Sequence, residues 1–567
     1  MTPKAVARKV MNTFGHPEHI IKRLTSLIDK DEKDLFQAIE TNRHLKAFKE
    51  EYPKEFNVMR RLQNVISHLS KHAGGVLIYP NLADTVPLAW DHGEGMYVAE
   101  FDKYMVEEIG HFKFDVLGLE TLPILYNTIK SIRESGIDID LRNIDMEDKD
   151  VYAMIASGDV SGLFQINNQA QKVMEQKPKN FRDLIAINAL IRPGVGDWQE
   201  YIARRQGKPY ELYEPRRPYM DETVGTMTYQ EQYLLDCHYL AGWGIAFADK
   251  RVRKNKNIRD DTALREKFIE DCTSNGHPIE EVERVWEEIE NAVDGGYSFN
   301  KSHSASYAVM TYQSAYLKHH YPIHFYAALM NGKKTDGEGQ LEIASLIAEC
   351  KARGIKILPP DINLSTDQFT PTKNGIAYKI NTIKNVGEKA VEEIISMRPI
   401  HSFQDFLERR NKSIIMKNIV VNLIKAGTFD SLDANRGELM WQFDMWNRTK
   451  TQVKQDYICG LYEVDDKQYA QWEKEVLNMY LTSHPLEKYG FHPLDHFKDG
   501  ERALQGGEVV DLYEFHPKKD PSKPKMAFIT LNTLFGIVKV VCFARNWTNE
   551  MKAMCEKGNL LMVSGNR

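Results

Sequence analysis

The sequence predicts a multidomain α+β protein, and three observations carry that expectation. The chain has 567 residues, whereas one hydrophobic core rarely grows past about 250–300 residues. Most of it consists of charged stretches with apolar residues at helical spacing. Two separated zones, near 72–120 and from Gly506 onward, carry short β-prone runs broken by Pro, Gly and Asp instead.

In order, residues 1–70 read as charge-rich helices with breaks at Gly15-His16-Pro17 and Pro53. Val76–Tyr79, Tyr97–Phe101 and Lys113–Leu117 read as strands of one small sheet. Helices are expected over 121–340, interrupted at Arg192-Pro193-Gly194 and around Tyr210–Pro218, and again over 341–435 in a smaller unit. The stretch 436–500 is polar and aromatic-rich, which suits a connector. Phe528–Leu531, Ile537–Phe543 and Leu560–Val563 then return to a β pattern. The sequence contains neither an internal repeat nor a low-complexity tract.

Composition narrows the function classes. Hydrophobic residues make up 42% and charged residues 27%, an ordinary balance for a soluble globular protein. No apolar stretch approaches the roughly 20 residues of a membrane span, and the N-terminus lacks a signal-peptide layout. The six cysteines form no C-x-x-C pair, so they read as reduced thiols of a cytoplasmic protein. A net charge of −6 argues against a globally basic nucleic-acid binder but leaves local basic patches open.

The chemistry starts at Lys113-Phe114-Asp115. Side chains alternate along a strand, so Lys113 and Asp115 face one side and Phe114 the other. An anionic metal ligand beside a cationic phosphate partner is what phosphoryl or nucleotidyl transfer needs. Taken alone, the same pattern also describes an ordinary surface ion pair.

Further motifs follow in a fixed order. They are Lys71-His72-Ala73-Gly74-Gly75-Val76, Gly162-Leu163-Phe164-Gln165, Ala189-Leu190-Ile191-Arg192-Pro193-Gly194 and Tyr229-Gln230-Glu231-Gln232. Tyr297-Ser298-Phe299-Asn300-Lys301-Ser302-His303 and Leu358-Pro359-Pro360-Asp361-Ile362-Asn363 complete the set. The ordered set resembles the alpha subunit of bacterial DNA polymerase III, a family C replicative polymerase, over nearly the whole chain. That resemblance implies a helical thumb (1–70), part of a polymerase-beta-like palm (71–125) and fingers (126–345). It further implies a helix-hairpin-helix region (346–435), a clamp-proximal connector (436–505) and an incomplete OB-fold β-barrel (506–567).

A polymerase of this kind uses two Mg2+ ions held by three carboxylates. By resemblance Asp115 is the third carboxylate and Lys113 the phosphate partner. The Pro-Asp-x-Asp-x-Asp-Phe motif that supplies the other two in the family is absent. Asp29-Lys30-Asp31-Glu32 has the Asp-x-Asp spacing but reads as a solvated helical face. The family's PHP domain is absent too, and the last barrel strand would lie past Arg567. We therefore expect a split-gene or phage version that an upstream polymerase fragment completes, with a fragment or pseudogene product as the duller alternative.

Among fingers residues, Lys250, Arg251, Arg253 and Lys254 form a cationic run suited to triphosphate or template phosphates. The family has paired arginines where this chain reads Arg251-Val252-Arg253, and a solvated basic face is the alternative. Arg192 suits bidentate phosphate binding. Lys301, Ser302 and His303 would contact the incoming nucleotide or duplex, although His303 alone could be a core or surface histidine. His320 and His324 are separated by Pro322, which argues against a metal site. Ile380–Ala390 resembles a helix-hairpin-helix, with Asn385, Gly387 and Lys389 at the DNA phosphate and Ile394 in its core. Asn385 replaces a glycine but tolerates the left-handed conformation. Candidate sliding-clamp peptides are Gln455–Leu461 and Gln442–Trp446.

The resulting expectation is a segment of a DNA-directed DNA polymerase, inactive alone, acting on primer-template DNA and deoxynucleoside triphosphates. The alternative, from another class, is a non-catalytic DNA-binding or clamp-associated accessory protein descended from a polymerase.

Overall fold

The computed structural model describes residues 2–28, 34–65, 71–72, 74–116, 118–191, 198–255, 257–294, 298–334, 337–432, 435–447, 464–481, 484–494, 497–498, 500–515 and 525–567. The chain divides into two compact units, Met1–Leu119 and Glu120–Arg567.

The first unit opens with five helices, Pro3–Thr13, Glu18–Ser26, Leu35–Thr41, Arg43–Glu51 and Pro53–Leu62. Local chemistry sets their boundaries. Pro3 occupies the first turn of one helix, where a missing N–H costs nothing. Asp34 accepts from the Phe36 N–H at 2.8 Å, and Asn42 ends one helix while capping the next through the His44 N–H at 3.0 Å. Val6, Val10, Leu24, Phe48, Phe56 and Met59 meet in their shared core.

Four short strands follow: β1 (Gly75–Leu77), β2 (Leu88–Asp91), β3 (Met96–Ala99) and β4 (Lys113–Asp115). They form two antiparallel ribbons, β1–β4 and β2–β3, where the sequence suggested a single sheet. A tight loop explains the separation. Asp91 accepts from the Gly93 N–H through Oδ1 (2.8 Å) and from the Gly95 N–H through its carbonyl (2.9 Å), which folds β2 directly onto β3. β4 is left to pair with β1, with Asp115 opposite Gly75, Phe114 opposite Val76 and Lys113 opposite Leu77.

The second unit is built around the helix Lys301–His320. Ala308, Tyr312, Ala315 and Leu317 are buried in it, within a core that runs from Leu125 to Leu481. The next helix, Pro322–Asn331, starts at the expected proline break. The same core takes in the helices Phe181–Leu190, Glu388–Ser396, Phe403–Arg409 and Lys417–Lys425. Beside it lies a three-stranded sheet of β5 (Ile357–Leu358), β6 (Thr370–Thr372) and β7 (Gly375–Ala377) in the order β5-β7-β6. A second core, around Phe268, Trp286 and Ile289, joins the helices Gln230–Tyr239, Thr262–Ser274 and Ile279–Asp294.

Among the ion pairs buried within this unit are those centred on Arg216 and Lys318. Arg216 grips Asp236 at 2.9 and 3.0 Å, with Glu288 at 2.7 Å. The fully buried Lys318 ammonium lies 2.7 Å from Asp159 and 3.0 Å from Glu349.

The unit ends in a curled, four-stranded antiparallel half-barrel of β8 (Arg502–Phe515), β9 (Met526–Thr533), β10 (Gly536–Cys542) and β11 (Leu560–Asn566), ordered β10-β9-β8-β11. The first half of β8 pairs with β11 and the second with β9, with a bulge between Val509 and Asp511 that turns the strand. Gly506, on β8 before the bulge, packs against the Phe491 ring so closely that a Cβ would clash with it. Among the described residues, no helix is long and apolar enough to cross a membrane.

Candidate functional site

In the first unit, β4 brings Lys113 and Asp115 onto one face as the alternation predicts, with Nζ 2.7 Å from Oδ1. His72 Nδ1 lies 4.0 Å from the same oxygen and accepts from the Gly74 N–H at 3.2 Å. Gly75, opposite Asp115, is packed so closely that a Cβ would lie 3.0 Å from His72 Nδ1 and 3.2 Å from Lys113 Cδ. A glycine here lets the lysine fold across β1 toward the carboxylate. The Asp115 side chain is 55% exposed. Hydrogen bonding from Lys113 holds its carboxyl below the usual value, so Asp115 is a solvent-facing anion at neutral pH.

Among the described residues, no three His, Cys, Asp or Glu side chains gather where they could hold a metal ion. The single Asp115 carboxylate therefore does not by itself fit a pair of divalent cations. Asp29 and Asp31 lie outside the described residues.

In the second unit, Lys301, Ser302 and His303 form the first turn of the long central helix, capped by Asn300, whose Oδ1 accepts from the His303 N–H at 2.8 Å. The macrodipole makes such a turn favourable for anions. Two carboxylates already face it. Glu222 holds Lys301 Nζ at 2.7 and 2.8 Å, and Glu231 accepts from the Lys301 backbone N–H at 2.9 and 3.1 Å. Tyr229 lies beneath the Lys301 ammonium, 5.5 Å from nitrogen to ring centre. Lys301, Glu222, Glu231 and Tyr229 line a cleft of about 790 Å³ together with Arg182, Arg217 and Asp221. The His303 ring packs between Phe299 (5.4 Å) and Tyr307 (4.2 Å).

The Tyr229-Gln230-Glu231-Gln232 motif acquires a structural meaning from this arrangement. Buried Gln232 accepts from the Thr228 and Tyr229 N–H groups, both at 2.7 Å, and donates to Thr223 Oγ1 at 2.7 Å. It fixes the strand-like approach of Tyr229 to Phe299. Sequence reasoning missed Glu222 and the roles of Glu231 and Gln232. The motif was visible, but its pairing with Lys301 exists only in three dimensions.

The basic run occupies a π-helical turn, Asp249–Arg253, with Val252 buried beneath it. Its charges are partly answered from within. Arg253 pairs with Asp249, Lys254 lies 3.4 Å from Asp249, and Arg251 lies 3.6 Å from Asp261. Lys250 is exposed. Arg192 lies outside the described residues, as does the candidate peptide Gln455–Leu461. Gln442–Trp446 falls in the helix Arg436–Asn447, with Phe443 buried and Trp446 exposed. His320 and His324 take different partners, Asp148 at 2.8 Å and Ser131 at 2.9 Å.

Asn385 has a φ of +69°, the left-handed conformation its substitution for glycine requires. Gly387 caps the helix Glu388–Ser396, and Asn385, Gly387 and Lys389 are all exposed at the turn, while Ile394 is fully buried. A cleft of about 1170 Å³ runs from this hairpin to the half-barrel, and Lys379, Lys384, Lys474, Lys539 and Lys557 are among its lining residues. On the half-barrel, Tyr513, Phe515 and Phe528 stack in a row, with ring centres 6.3 and 4.6 Å apart.

Three family models match this chain: the bacterial DNA polymerase III alpha NTPase domain at residues 1–118, the bacterial DNA polymerase III alpha subunit finger domain at 121–276, and a helix-hairpin-helix motif at 354–439. The DNA polymerase III subunit alpha of Thermus aquaticus is 30% identical over 623 aligned residues, covering 100% of this chain and 50% of the relative. That of Aquifex aeolicus is 33% identical, covering 89% of this chain and 45% of the relative. That of Escherichia coli K12 is 30% identical, covering 100% and 53%. The chain thus spans about half the length of the curated relatives it matches. Both alpha-subunit domain models and relatives aligned along the whole chain converge on one family, so this chain matches part of the bacterial DNA polymerase III alpha subunit.

Proposed function

We propose that this chain is a segment of a DNA-directed DNA polymerase that extends a primer 3′-end with deoxynucleoside triphosphates, and that a further polypeptide segment completes its metal site. The observation that carries the reading is the Asp115 carboxylate, solvent-facing and 2.7 Å from Lys113, within the stretch that matches an alpha-subunit domain model. Asp115 would give one ligand to Mg2+, and the other carboxylates would come from the completing segment. Lys113 would neutralise phosphate. Lys250, Arg251, Arg253 and Lys254, together with Arg192 and the helix start at Lys301, Ser302 and His303, would hold the triphosphate. Asn385, Gly387 and Lys389 would bind duplex phosphates without reading sequence. The ring row Tyr513, Phe515 and Phe528 suits stacking of unpaired bases, which fits an OB-like role for the half-barrel. The stretch 71–125 would then be a partial palm.

The reading is tested by primer extension with this chain alone and mixed with the completing segment. Synthesis confined to the mixture supports it. Salt-sensitive DNA binding without synthesis in either case would favour a non-catalytic accessory protein.

A further inference from the structure

Lys318 and Lys379 are both buried, with 0% and 8% of their surface exposed, but their surroundings differ. Lys318 lies against Asp159 and Glu349. Among the described residues no carboxylate lies within ion-pairing distance of Lys379. Asp367 acts on it only from further away, and its ammonium rests over the Phe369 ring, 5.4 Å from the ring centre. A lysine is rarely buried without a counter-charge, because desolvation penalises the charged form.

Two residues on, Asn381 Oδ1 is buried with no hydrogen-bond partner among the described residues. Native proteins leave few such atoms, since an unmade bond costs the full desolvation of the group. Both residues border the cleft of about 1170 Å³ between the hairpin and the half-barrel. The backbone that carries them is pinned. Tyr378 N–H donates to the Leu358 carbonyl at 3.0 Å, Ile380 N–H to the Thr366 carbonyl at 2.8 Å, and the Thr382 hydroxyl to the Lys379 carbonyl at 2.7 Å. Elsewhere the wall is cationic, with Lys384, Lys539 and Lys557 exposed along it. Of its carboxylates, Glu508 is taken by Lys474 at 2.6 Å from both oxygens, and Glu475 by Lys425 at 2.7 Å, while Asp511 is exposed.

We infer that this cleft is a binding site for a free nucleoside polyphosphate, with Lys379 anchoring its terminal phosphate and Asn381 accepting a hydrogen bond from its sugar or base. The site is separate from the fingers cleft at Lys301, and the inference goes beyond the polymerase reading without depending on it. A terminal phosphate carries up to two charges and enters end-on, which is what an ammonium nine-tenths buried can receive. A phosphodiester within a strand carries one charge and continues on both sides, so it suits the exposed lysines instead. Inorganic phosphates would satisfy Lys379 and leave Asn381 without a donor, which is why a nucleotide fits better. The cleft is large enough to take one.

The test is isothermal titration calorimetry of the full 567-residue chain with dATP, inorganic tripolyphosphate and a thymidine oligonucleotide with hydroxyl ends. Lys379→Met removes the charge at similar length, and Asn381→Asp sets a carboxylate against the incoming phosphate. Lys301→Ala removes the cation of the fingers cleft and leaves this one intact. The expected result is a dATP binding event, tighter than that of tripolyphosphate, that persists in Lys301→Ala. It should weaken about tenfold or more in both Lys379→Met and Asn381→Asp, with urea midpoints showing that the variants fold. Should one variant not fold, the other decides. Absence of a dATP event in Lys301→Ala overturns the inference, as does equal affinity in the folded Lys379 and Asn381 variants and the unmodified chain. Displacement of dATP from this site by the hydroxyl-ended oligonucleotide would also overturn it, because the cleft would then hold a strand.

Discussion

The Lys113 ammonium lies 2.7 Å from Asp115 Oδ1 across a strand edge where the carboxylate remains 55% exposed. An exposed pair of this kind adds little to stability, because water screens it and two side chains lose freedom. On the proposed reading, its value lies in presenting a carboxylate that is ionised at neutral pH. Asp115→Ala should therefore leave the melting temperature within about 1 °C and DNA affinity within about twofold, while abolishing synthesis in the completed assembly. Calorimetry, DNA titration and primer extension check the three parts.

Lys301 is held by Glu222 through both carboxylate oxygens. On the proposed reading, an incoming phosphate would compete with Glu222 for the same ammonium. Glu222→Gln should lower the KM for deoxynucleotides several-fold, and Lys301→Ala should raise it. A purely structural clasp would instead raise KM in both variants, so steady-state kinetics of the completed enzyme decides between them.

Asn385 adopts φ +69° at the hairpin. Asn385→Ala should cost about 1 kcal/mol from left-handed strain and Asn385→Gly almost nothing, as read by urea unfolding. Lys389→Ala at the same turn should reduce the slope of log K against log salt for duplex DNA by about 1.

The Arg216 guanidinium is enclosed with Asp236. Arg216→Met would strand a buried carboxylate and should cost about 3–5 kcal/mol. Trp286, in the core beside it, offers a fluorescence probe for denaturant titration.

His484 is desolvated and lies near Lys351 and Lys474, which pushes its imidazole down to about 4 from an ordinary 6.5. The unfolded chain therefore binds the extra proton first as pH falls. The stability held above about pH 6.5 is lost progressively toward pH 4, by about 1–2 kcal/mol after allowing for solvent screening. The urea midpoint at pH 7.5 should exceed that at pH 5, and His484→Gln should flatten this part of the difference.

Local rules made several of these features legible in the sequence. Period-two alternation gave the shared face of Lys113 and Asp115, Pro322 gave the break after the long helix, and a glycine position filled by asparagine gave the left-handed turn at Asn385. Other features depended on contacts that no local pattern encodes. Glu222 and Glu231 reach Lys301 across 79 and 70 residues. Asp249 stands one helical turn from Arg253, so its neutralisation of the basic run was open to inspection; the pairing of Arg251 with Asp261 was not. β2 escaped notice because its strand character depends on the Asp91–Gly95 loop that folds it onto β3.

The most direct test is primer extension with Mg2+ and four deoxynucleotides, using the chain and its Asp115→Ala variant, each alone and with the unaligned portion of the Thermus aquaticus subunit. The account predicts synthesis only from the unmodified chain in the mixture. Undiminished synthesis by the Asp115→Ala mixture would contradict it.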